Sequence, residues 1–336
     1  MTQRPTVTAV AERAGVSVAS VSRVLNGLPA SRDMQDLVNS AASDLGYRPN
    51  AMARSLKMRR TQQLAFAVAD VGNPVYVEMM RGAEAATRAQ GFRLLVSSTG
   101  GRTPEVLDLL ESLEHGYAAG LVLSPVRVDA PLVAALRTLR LPTVVVGNVP
   151  DDLPVDIVRA DSAAGVGLAL DHLHRLGRRR VAFVNGPVDT VPGSTRSRAF
   201  EDLGATMGLD PDPALRIEAD DFTLAAGRVA ASSLLDGVLP DAVLAGNDLL
   251  ALAVMQVLAE RGLRVPDDVA VVGMDDTELA QVATPDLTSV DLGSRERGRL
   301  AAGLLLDRLQ HPERAPQRLT VTPQLRVRGS TSGARR

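Results

Sequence analysis

The chain has no cysteine and no tryptophan, and its 336 residues include only three tyrosines and five phenylalanines. Without cysteine there is no disulfide scaffold, no zinc finger and no thiol nucleophile. No run of about 18 apolar residues occurs, so no membrane-spanning helix is expected. The stretch Met1 to Ala11 lacks the apolar core of a signal peptide, and a cytoplasmic location follows as the expectation. The four histidines, His115, His172, His174 and His311, form no metal-ligand pattern with carboxylates. His172 and His174 read as residues of a solvated helix face. There is no Gly-x-Ser-x-Gly, no phosphate loop and no Gly-x-Gly-x-x-Gly after a strand; Gly165-Val166-Gly167 falls inside a helical pattern. No catalytic residue, metal or cofactor is therefore assigned, and an enzyme is not expected.

With 45% hydrophobic residues, the chain can bury a large core, and a small domain plus a large one fits its length. The net charge of -2 conceals an asymmetry: residues 1–60 hold nine Lys/Arg against four Asp/Glu, a balance of +5, leaving -7 for the remainder. A basic head on an acidic body means that the head is the part that meets a polyanion.

In the head, Thr6 is placed to cap a helix from Val7 to Arg13 with Val10, Ala11 and Ala14 on its apolar face. Gly15 supplies the turn, and Ser17 caps a second helix, Val18 to Leu25, ended by Asn26 and Gly27. Val21, Val24 and Leu25 form its inward stripe, leaving Val18, Ala19, Ser22 and Arg23 outward. Val18 and Ala19 suit thymine methyls and Arg23 a guanine, while Ser20 and Ser22 offer hydroxyls to base edges or phosphates. A third helix, Arg32 to Leu45, is capped by Ser31 and stopped by Gly46, with Leu37, Val38, Ala41 and Leu45 facing the other two. In the following Tyr47 to Leu56, Pro49 halts the third helix and Asn50 caps a turn or two more. A helix this short is unstable alone. It is expected to form on DNA, with Leu56 wedged between base pairs and Arg54, Lys57, Arg59 and Arg60 on phosphates.

Beyond residue 61, strand-length apolar runs alternate with amphipathic helices, the pattern of parallel sheets with helical crossovers. Strands are expected at Leu64 to Ala69, Arg93 to Ser97, Gly120 to Ser124 and Thr143 to Gly147, with helices Val75 to Gln90, Pro104 to His115 and Ala130 to Leu139 between them. A second series has strands Arg180 to Asn185, Ala242 to Gly246 and Val269 to Gly273, and helices Ala163 to Leu176, Arg196 to Met207, Leu224 to Leu235 and Leu249 to Arg261. Two α/β lobes side by side result, and ligands of such sheets bind beyond the carboxyl ends of the strands, here the cleft between lobes. Asp70, Asn73, Tyr76, Asn148, Asn247 and Asp275 follow strand ends. Each also fits a plainer role: Asn73 and Asn247 as helix caps, Asp276 as the close of a turn. Arg196, at the start of the helix after Gly193-Ser194-Thr195, could join Asp275 in clamping hydroxyl pairs or a carboxylate. Tyr76 and Phe222 are aromatics available to stack on a ring, with a core position equally open for Phe222.

The strings Val10-Ala11-Glu12-Arg13-Ala14-Gly15-Val16-Ser17, Val21-Ser22-Arg23-Val24-Leu25-Asn26 and Leu45-Gly46-Tyr47-Arg48-Pro49-Asn50-Ala51-Met52-Ala53-Arg54-Ser55-Leu56 resemble the head and hinge helix of the lactose-repressor/galactose-repressor family. The body adds Gly246-Asn247-Asp248, the segment Gly262 to Asp276, and Pro285-Asp286-Leu287-Thr288-Ser289-Val290. The resemblance implies an all-α helix-turn-helix head (1–47) and a hinge helix and linker (48–61). These join a body of two parallel-sheet lobes (62–336) like periplasmic binding proteins. The lobes would comprise 62–161 with 292–322 and 162–291 with 323–330, the chain crossing near Asp161, Asp291 and Pro323. It implies a repressor that binds a pseudo-palindromic operator in double-stranded DNA as a homodimer, controlled by a small-molecule effector, a carbohydrate, in the cleft. The DNA-facing set is then Thr6, Ser17, Val18, Ala19, Ser20, Ser22, Arg23, Asn26, Ser31, Tyr47, Asn50, Ala53, Arg54 and Leu56. The effector set is Asp70, Asn73, Tyr76, Asn148, Arg196, Phe222, Asn247 and Asp275. Two departures stand out: Met34-Gln35 where many members carry Thr-Arg, removing a phosphate contact, and Ala199 in place of the glycine of Arg-x-x-Gly-Phe. The tail Arg328 to Arg336 has no leucine heptad, so a dimer is expected rather than a tetramer. A solute-binding protein of a transporter would share the lobes, but the basic head and the lack of a signal peptide argue against it.

Overall fold

Every parallel strand of the body ends on the same side of its sheet, and this fixes where the chain passes from lobe to lobe. The computed structural model describes residues 5–25, 28–47, 61–237 and 239–332. The chain divides into two units, residues 1–61 and 62–336. The expected contacts of Asn26, Asn50, Ala53, Arg54 and Leu56, and the hinge helix with them, lie outside the described residues.

The head consists of α1 (Val7–Ala14), α2 (Val18–Leu25) and α3 (Arg32–Asp44). Thr6 caps α1 by accepting the Ala9 amide at 3.2 Å, and Gly15 closes it at φ 66°, a left-handed conformation that favours glycine. Ser17 accepts the Ser20 amide at 3.1 Å and Ser31 that of Met34 at 3.4 Å, so each helix begins on a hydroxyl. Val10, Ala11, Val21, Val38, Ala41 and Ala42 are buried together, with Val24, Leu25 and Leu45 packed against them. Leu37 does not face the bundle as expected: it is 53% exposed. Positions 38, 41, 42 and 45 form the stripe at one-turn spacing, and position 37 lies about 100° around the helix from position 38.

The first lobe is a sheet ordered β11-β5-β4-β3-β1-β2, parallel throughout. Its strands are β1 (Gln63–Val68), β2 (Arg93–Ser98), β3 (Gly120–Ser124), β4 (Thr143–Val146), β5 (Asp156–Ala160) and β11 (Arg318–Val321). Helices α4 (Pro74–Arg88) and α12 (Ser294–Gln310) cover one face, and α5 (Thr103–Glu114) and α6 (Ala130–Thr138) the other. Leu64, Phe66 and Val68 of β1 point to the first face and Ala65 and Ala67 to the second, all of them buried, as a sheet covered on both sides requires.

The second lobe is ordered β12-β10-β9-β8-β6-β7: β6 (Val181–Asn185), β7 (Arg216–Glu218), β8 (Ala242–Ala245), β9 (Ala270–Met274), β10 (Thr288–Asp291) and β12 (Gln324–Arg326). Its helices are α7 (Ser162–Arg175), α8 (Val191–Met207), α9 (Leu224–Gly237), α10 (Asp248–Glu260) and the short α11 (Glu278–Val282). The chain leaves the first lobe after β5, returns after β10, and leaves again after β11, each time at strand ends. That is why β12, which starts where β11 finishes, runs antiparallel to β10.

Three expectations change. The sequence reading missed β5, β7, β10, β11, β12, the short α11 and the whole of α12. Helix α8 begins at Val191, not Arg196, because Thr190 caps it through the Gly193 amide at 3.1 Å and Pro192 suits a first turn. His172 is half-buried rather than solvated: its Nε2 meets Thr331 Oγ1 at 2.8 Å, and Ser330 donates to the Val271 carbonyl at 2.6 Å, tying the tail to the second sheet.

Helices α4 and α12 cross at two glycines. A Cβ on Gly82 would lie 1.9 Å from the Arg295 carbonyl oxygen, and one on Gly298 the same distance from that of Met79. A methyl here forces backbone apart rather than a side chain aside, costing about 1–3 kcal/mol or more. Gly298→Ala should lower Tm by several degrees in a thermal scan, at about 2–4 °C per kcal/mol for domains approaching this size; an unchanged Tm would show that the crossing has slack.

Candidate functional site

The strand ends of both sheets open onto a cleft with a cavity volume of about 110 Å³. From the first lobe it is lined by Asn73, Tyr76, Ser124, Asn148 and, unforeseen in the sequence, Arg297; from the second by Thr195, Arg196, Phe222, Asn247 and Asp275. Seven of the eight expected effector residues thus lie on its walls. Asp70 does not: it is exposed and accepts the Gly72 amide at 2.8 Å, closing a turn.

Both asparagine caps serve the plainer role while lining the cleft. Asn73 accepts the Val75 amide at 3.2 Å ahead of Pro74. Asn247 is fully engaged, accepting the Leu250 amide at 2.9 Å and donating to the Phe222 carbonyl at 3.0 Å. It thereby fixes the loop that carries Phe222. The Phe222 ring lies over Gly186, where a Cβ would approach it to 2.5 Å, and it is half-buried against the core of the second lobe. Core packing and cleft lining are both true of it.

Arg196 reaches from the second turn of α8 to donate to the Gly246 carbonyl, and its guanidinium carbon stands 6.0 Å from the centre of the Phe222 ring. Its nearest carboxylate is Asp275, at 3.8 Å. Both are buried, at 6% and 8% exposure, so each charge matters more than it would in water. Burial raises the Asp275 pKa against the pull of Arg196 and Arg297, and burial lowers that of Arg196 against Asp275. The Tyr76 hydroxyl is driven well above its usual value by burial and then by the Asp275 charge, which leaves it a neutral donor. Among the described residues nothing donates a hydrogen bond to the Asp275 carboxylate, and Asn148 has no hydrogen-bond partner. What the site offers is a waiting acceptor, a waiting amide, buried cations and an aromatic face, a set suited to hydroxyl pairs on a ring.

Asp275 is held in a costly conformation. It and Asp276 adopt φ of 102° and 47°, a region that costs residues other than glycine about 1–3 kcal/mol each. Asp248 secures the turn from beneath. The Thr277 amide and hydroxyl donate to its Oδ2 at 2.7 and 2.8 Å, and the Ser289 hydroxyl donates to its Oδ1 at 2.5 Å. Ser289 in turn accepts the Asp276 amide at 3.0 Å.

In the head, Val18, Ala19 and Arg23 of α2 are exposed, on the outward side where the sequence pattern put them. Thr6, Ser17 and Ser31 are helix caps, and Ser20 shares a hydrogen bond with Ser17 at 2.9 Å between their hydroxyls. Ser22 and Tyr47 are half-buried, Tyr47 against the bundle core. Gln35 donates to the Ala30 carbonyl at 2.9 Å and Met34 packs on the core, so the two residues that depart from the family pattern are used internally. Six of the nine Lys/Arg of residues 1–60 fall outside the described residues, so the positive balance of the head rests on the segment from Arg48 to Arg60 more than on the three helices.

Residues 6–50 match the model for bacterial regulatory proteins of the lacI family, and residues 170–331 that for a periplasmic binding protein-like domain. The ribose operon repressor of Escherichia coli (strain K12) is 35% identical over 324 residues, spanning 96% of this chain and 98% of the relative. The HTH-type transcriptional regulator CelR of Thermobifida fusca is 36% identical over 341 residues, 98% of each. A solved CelR–cellobiose complex is 34% identical with a TM-score of 0.74, covering 97% of this chain and 100% of that one. The Lac repressor dimer bound to operator and the anti-inducer ONPF is 25% identical with a TM-score of 0.85, covering 98% and 99%.

Burial, reinforced by the Asp275 charge, pushes Asp248 up to about 7 from an ordinary 3.8. The folded carboxyl therefore holds its proton more tightly than the unfolded one. Protonated Asp248 contributes stability that is complete below the unfolded value and is lost as pH rises through about 7. Asp248→Asn removes this titration. The Tm of the wild type relative to the variant should fall between about pH 4 and 7 and level off above; a difference constant across that range would mean that Asp248 stays ionised.

Proposed function

The chain belongs to the lacI family of bacterial regulatory proteins, transcription regulators rather than enzymes, and from that membership we propose a cytoplasmic repressor that binds a pseudo-palindromic operator as a homodimer under the control of a small carbohydrate. Residues 1–47 bind DNA, 48–61 serve as the hinge helix and linker, and the two lobes of 62–336 hold the effector and the dimer contact. Val18, Ala19 and Arg23 read base edges in the major groove, and Leu56 wedges into the minor groove. Among the described residues no helix is long and apolar enough to cross a membrane.

The unsatisfied Asp275 carboxylate carries the carbohydrate reading. A buried acceptor with no protein donor, facing Asn148 and flanked by Phe222, suits a ring that brings its own hydroxyls. The relatives agree: one is named for a ribose operon and another is solved with cellobiose. For the dimer, Leu95 and Val96 of the edge strand β2 and Val282 of α11 are large apolar side chains left exposed. Arg81 of α4 bonds Glu278 of α11 at 2.5 Å, which brings both lobes to one flank where a second copy can cover them.

Selection of a binding sequence from random duplexes, followed by gel-shift titration at moderate salt, tests the first half. The expected outcome is a near-palindromic site bound by two chains, with Leu56→Ala weakening specific binding more than nonspecific binding. Equal losses would reject the wedge, and indifference to sequence the whole reading. For the second half, Asp275→Asn should keep operator affinity and lose at least tenfold in response to the sugar that shifts the wild type, because only the effector contact is removed.

A further inference from the structure

The charges of the cleft do not balance. Its ionised lining groups are the guanidiniums of Arg196 and Arg297 and the carboxylate of Asp275. Arg196 is committed, to the Gly246 carbonyl and to Asp275. Arg297, in the first turn of α12, is 8% exposed, and its hydrogen bond goes to the neutral hydroxyl of Ser294 at 3.0 Å. No carboxylate among the described residues pairs with it, and its Nε, like that of Arg196, is buried without a partner.

The acids behind the wall form no ion pair with Arg297, although the charge of Asp291 reaches it from a distance. Asp276 pairs with Arg328 at 2.6 Å and Asp291 with Arg326 at 3.3 Å, each a second-lobe pair. Asp248 spends its oxygens on Thr277 and Ser289. Tyr76 is neutral. Burial lowers Arg297 to about 10, with Asp275 the largest influence opposing it, yet at neutral pH it remains a cation. A buried cation without a counterion is retained at a cost in stability, and a ligand that brings the counterion removes that cost.

We propose that the effector is a polyhydroxylated anion, a sugar acid or sugar phosphate, whose oxyanion is taken by Arg297 while Asp275 and Asn148 bind its hydroxyls. This rests on the cleft being the effector site. Arg297 comes from the first lobe and Asp275 from the second, so one small ion with hydroxyls at its other end spans both. An uncharged sugar satisfies Asp275 but leaves Arg297 unpaired.

Calorimetry on the full-length protein compares neutral sugars with their charged derivatives: D-glucose against D-gluconate, D-glucuronate and D-glucose 6-phosphate, and D-ribose against D-ribose 5-phosphate. At least one anion is expected to bind tenfold or more tightly than its neutral parent. The acids and the phosphates form separate arms, which identify the oxyanion. Arg297→Met should erase that preference and Arg297→Lys restore part of it, with thermal scans confirming that both variants fold. Asp275→Asn should weaken every member that binds. A neutral sugar that binds as well as its anions, weakened by Asp275→Asn but indifferent to Arg297→Met, overturns the proposal and leaves the cleft as effector site. Anion binding that neither substitution weakens places the ligand elsewhere and overturns both.

Discussion

The body of this protein depends on one constraint: parallel strands all finish on the same side of their sheet, so a chain shared between two such sheets must pass between them there. Three passages, after β5, β10 and β11, follow from it. They place the starts of α7 and α12 at the cleft, and with them Ser162 and Arg297, since each helix begins immediately after a crossing. They also bring β12 into the second sheet from its cleft end, which reverses its direction. The cleft is thus the region where the chain has no alternative but to be irregular and polar, and side chains rather than sheet bonds must satisfy the exposed backbone.

Within that region the polar groups fall into two kinds. Asn247 and Asp248, and the carbonyl oxygen of Asn73, are used by the fold, capping helices and pinning the turn behind Asp275. Asp275, Asn148 and Arg297 keep capacity in reserve: Asp275 has Arg196 at 3.8 Å but accepts no hydrogen bond, Arg297 bonds only the Ser294 hydroxyl, and Asn148 bonds nothing among the described residues. The first kind maintains the second. Asp275 persists at φ 102° because Thr277 and Ser289 are anchored on Asp248, so the strain at this cleft residue is balanced by hydrogen bonds that lie behind the cleft wall.

This division explains what the sequence disclosed. Strong periodic elements were legible: α2 from Val18 to Leu25 and β3 from Gly120 to Ser124 were read with the bounds they have. So was the lining role of residues that follow such strands, Asn148 and Asp275 among them. Arg297 was missed because α12 was missed. Its sequence, Ser294 to Gln310, alternates arginines with small residues, and the two surfaces it buries include Gly298 against α4 and Leu304 to Leu306 against the sheet, so no single apolar stripe marks it. Strands β7, β10 and β12 span only three or four residues each, too short for a pattern to register. Asp70 misled for the opposite reason: an aspartate after a strand caps a tight turn as readily as it binds a ligand.

The same division bears on control. The lobes also meet at the rims of the cleft, through Arg127 with Asp189 at 2.8 Å, Arg81 with Glu278, and the Val191 amide on the Val126 carbonyl at 2.7 Å. Both ion pairs are solvent-exposed on at least one partner, and exposed pairs are screened by salt and hold two surfaces only loosely. A ligand shifts a two-state equilibrium only by its difference in affinity for the two states. Here the groups with hydrogen-bonding capacity to spare are split between the lobes, Asn148 and Arg297 on one and Asp275 on the other, so the effector proposed above gains its full set of contacts only when the lobes stand at one separation. In the function proposed, weak rims and a divided polar site together let the arrangement of the lobes follow the effector rather than the protein's own contacts.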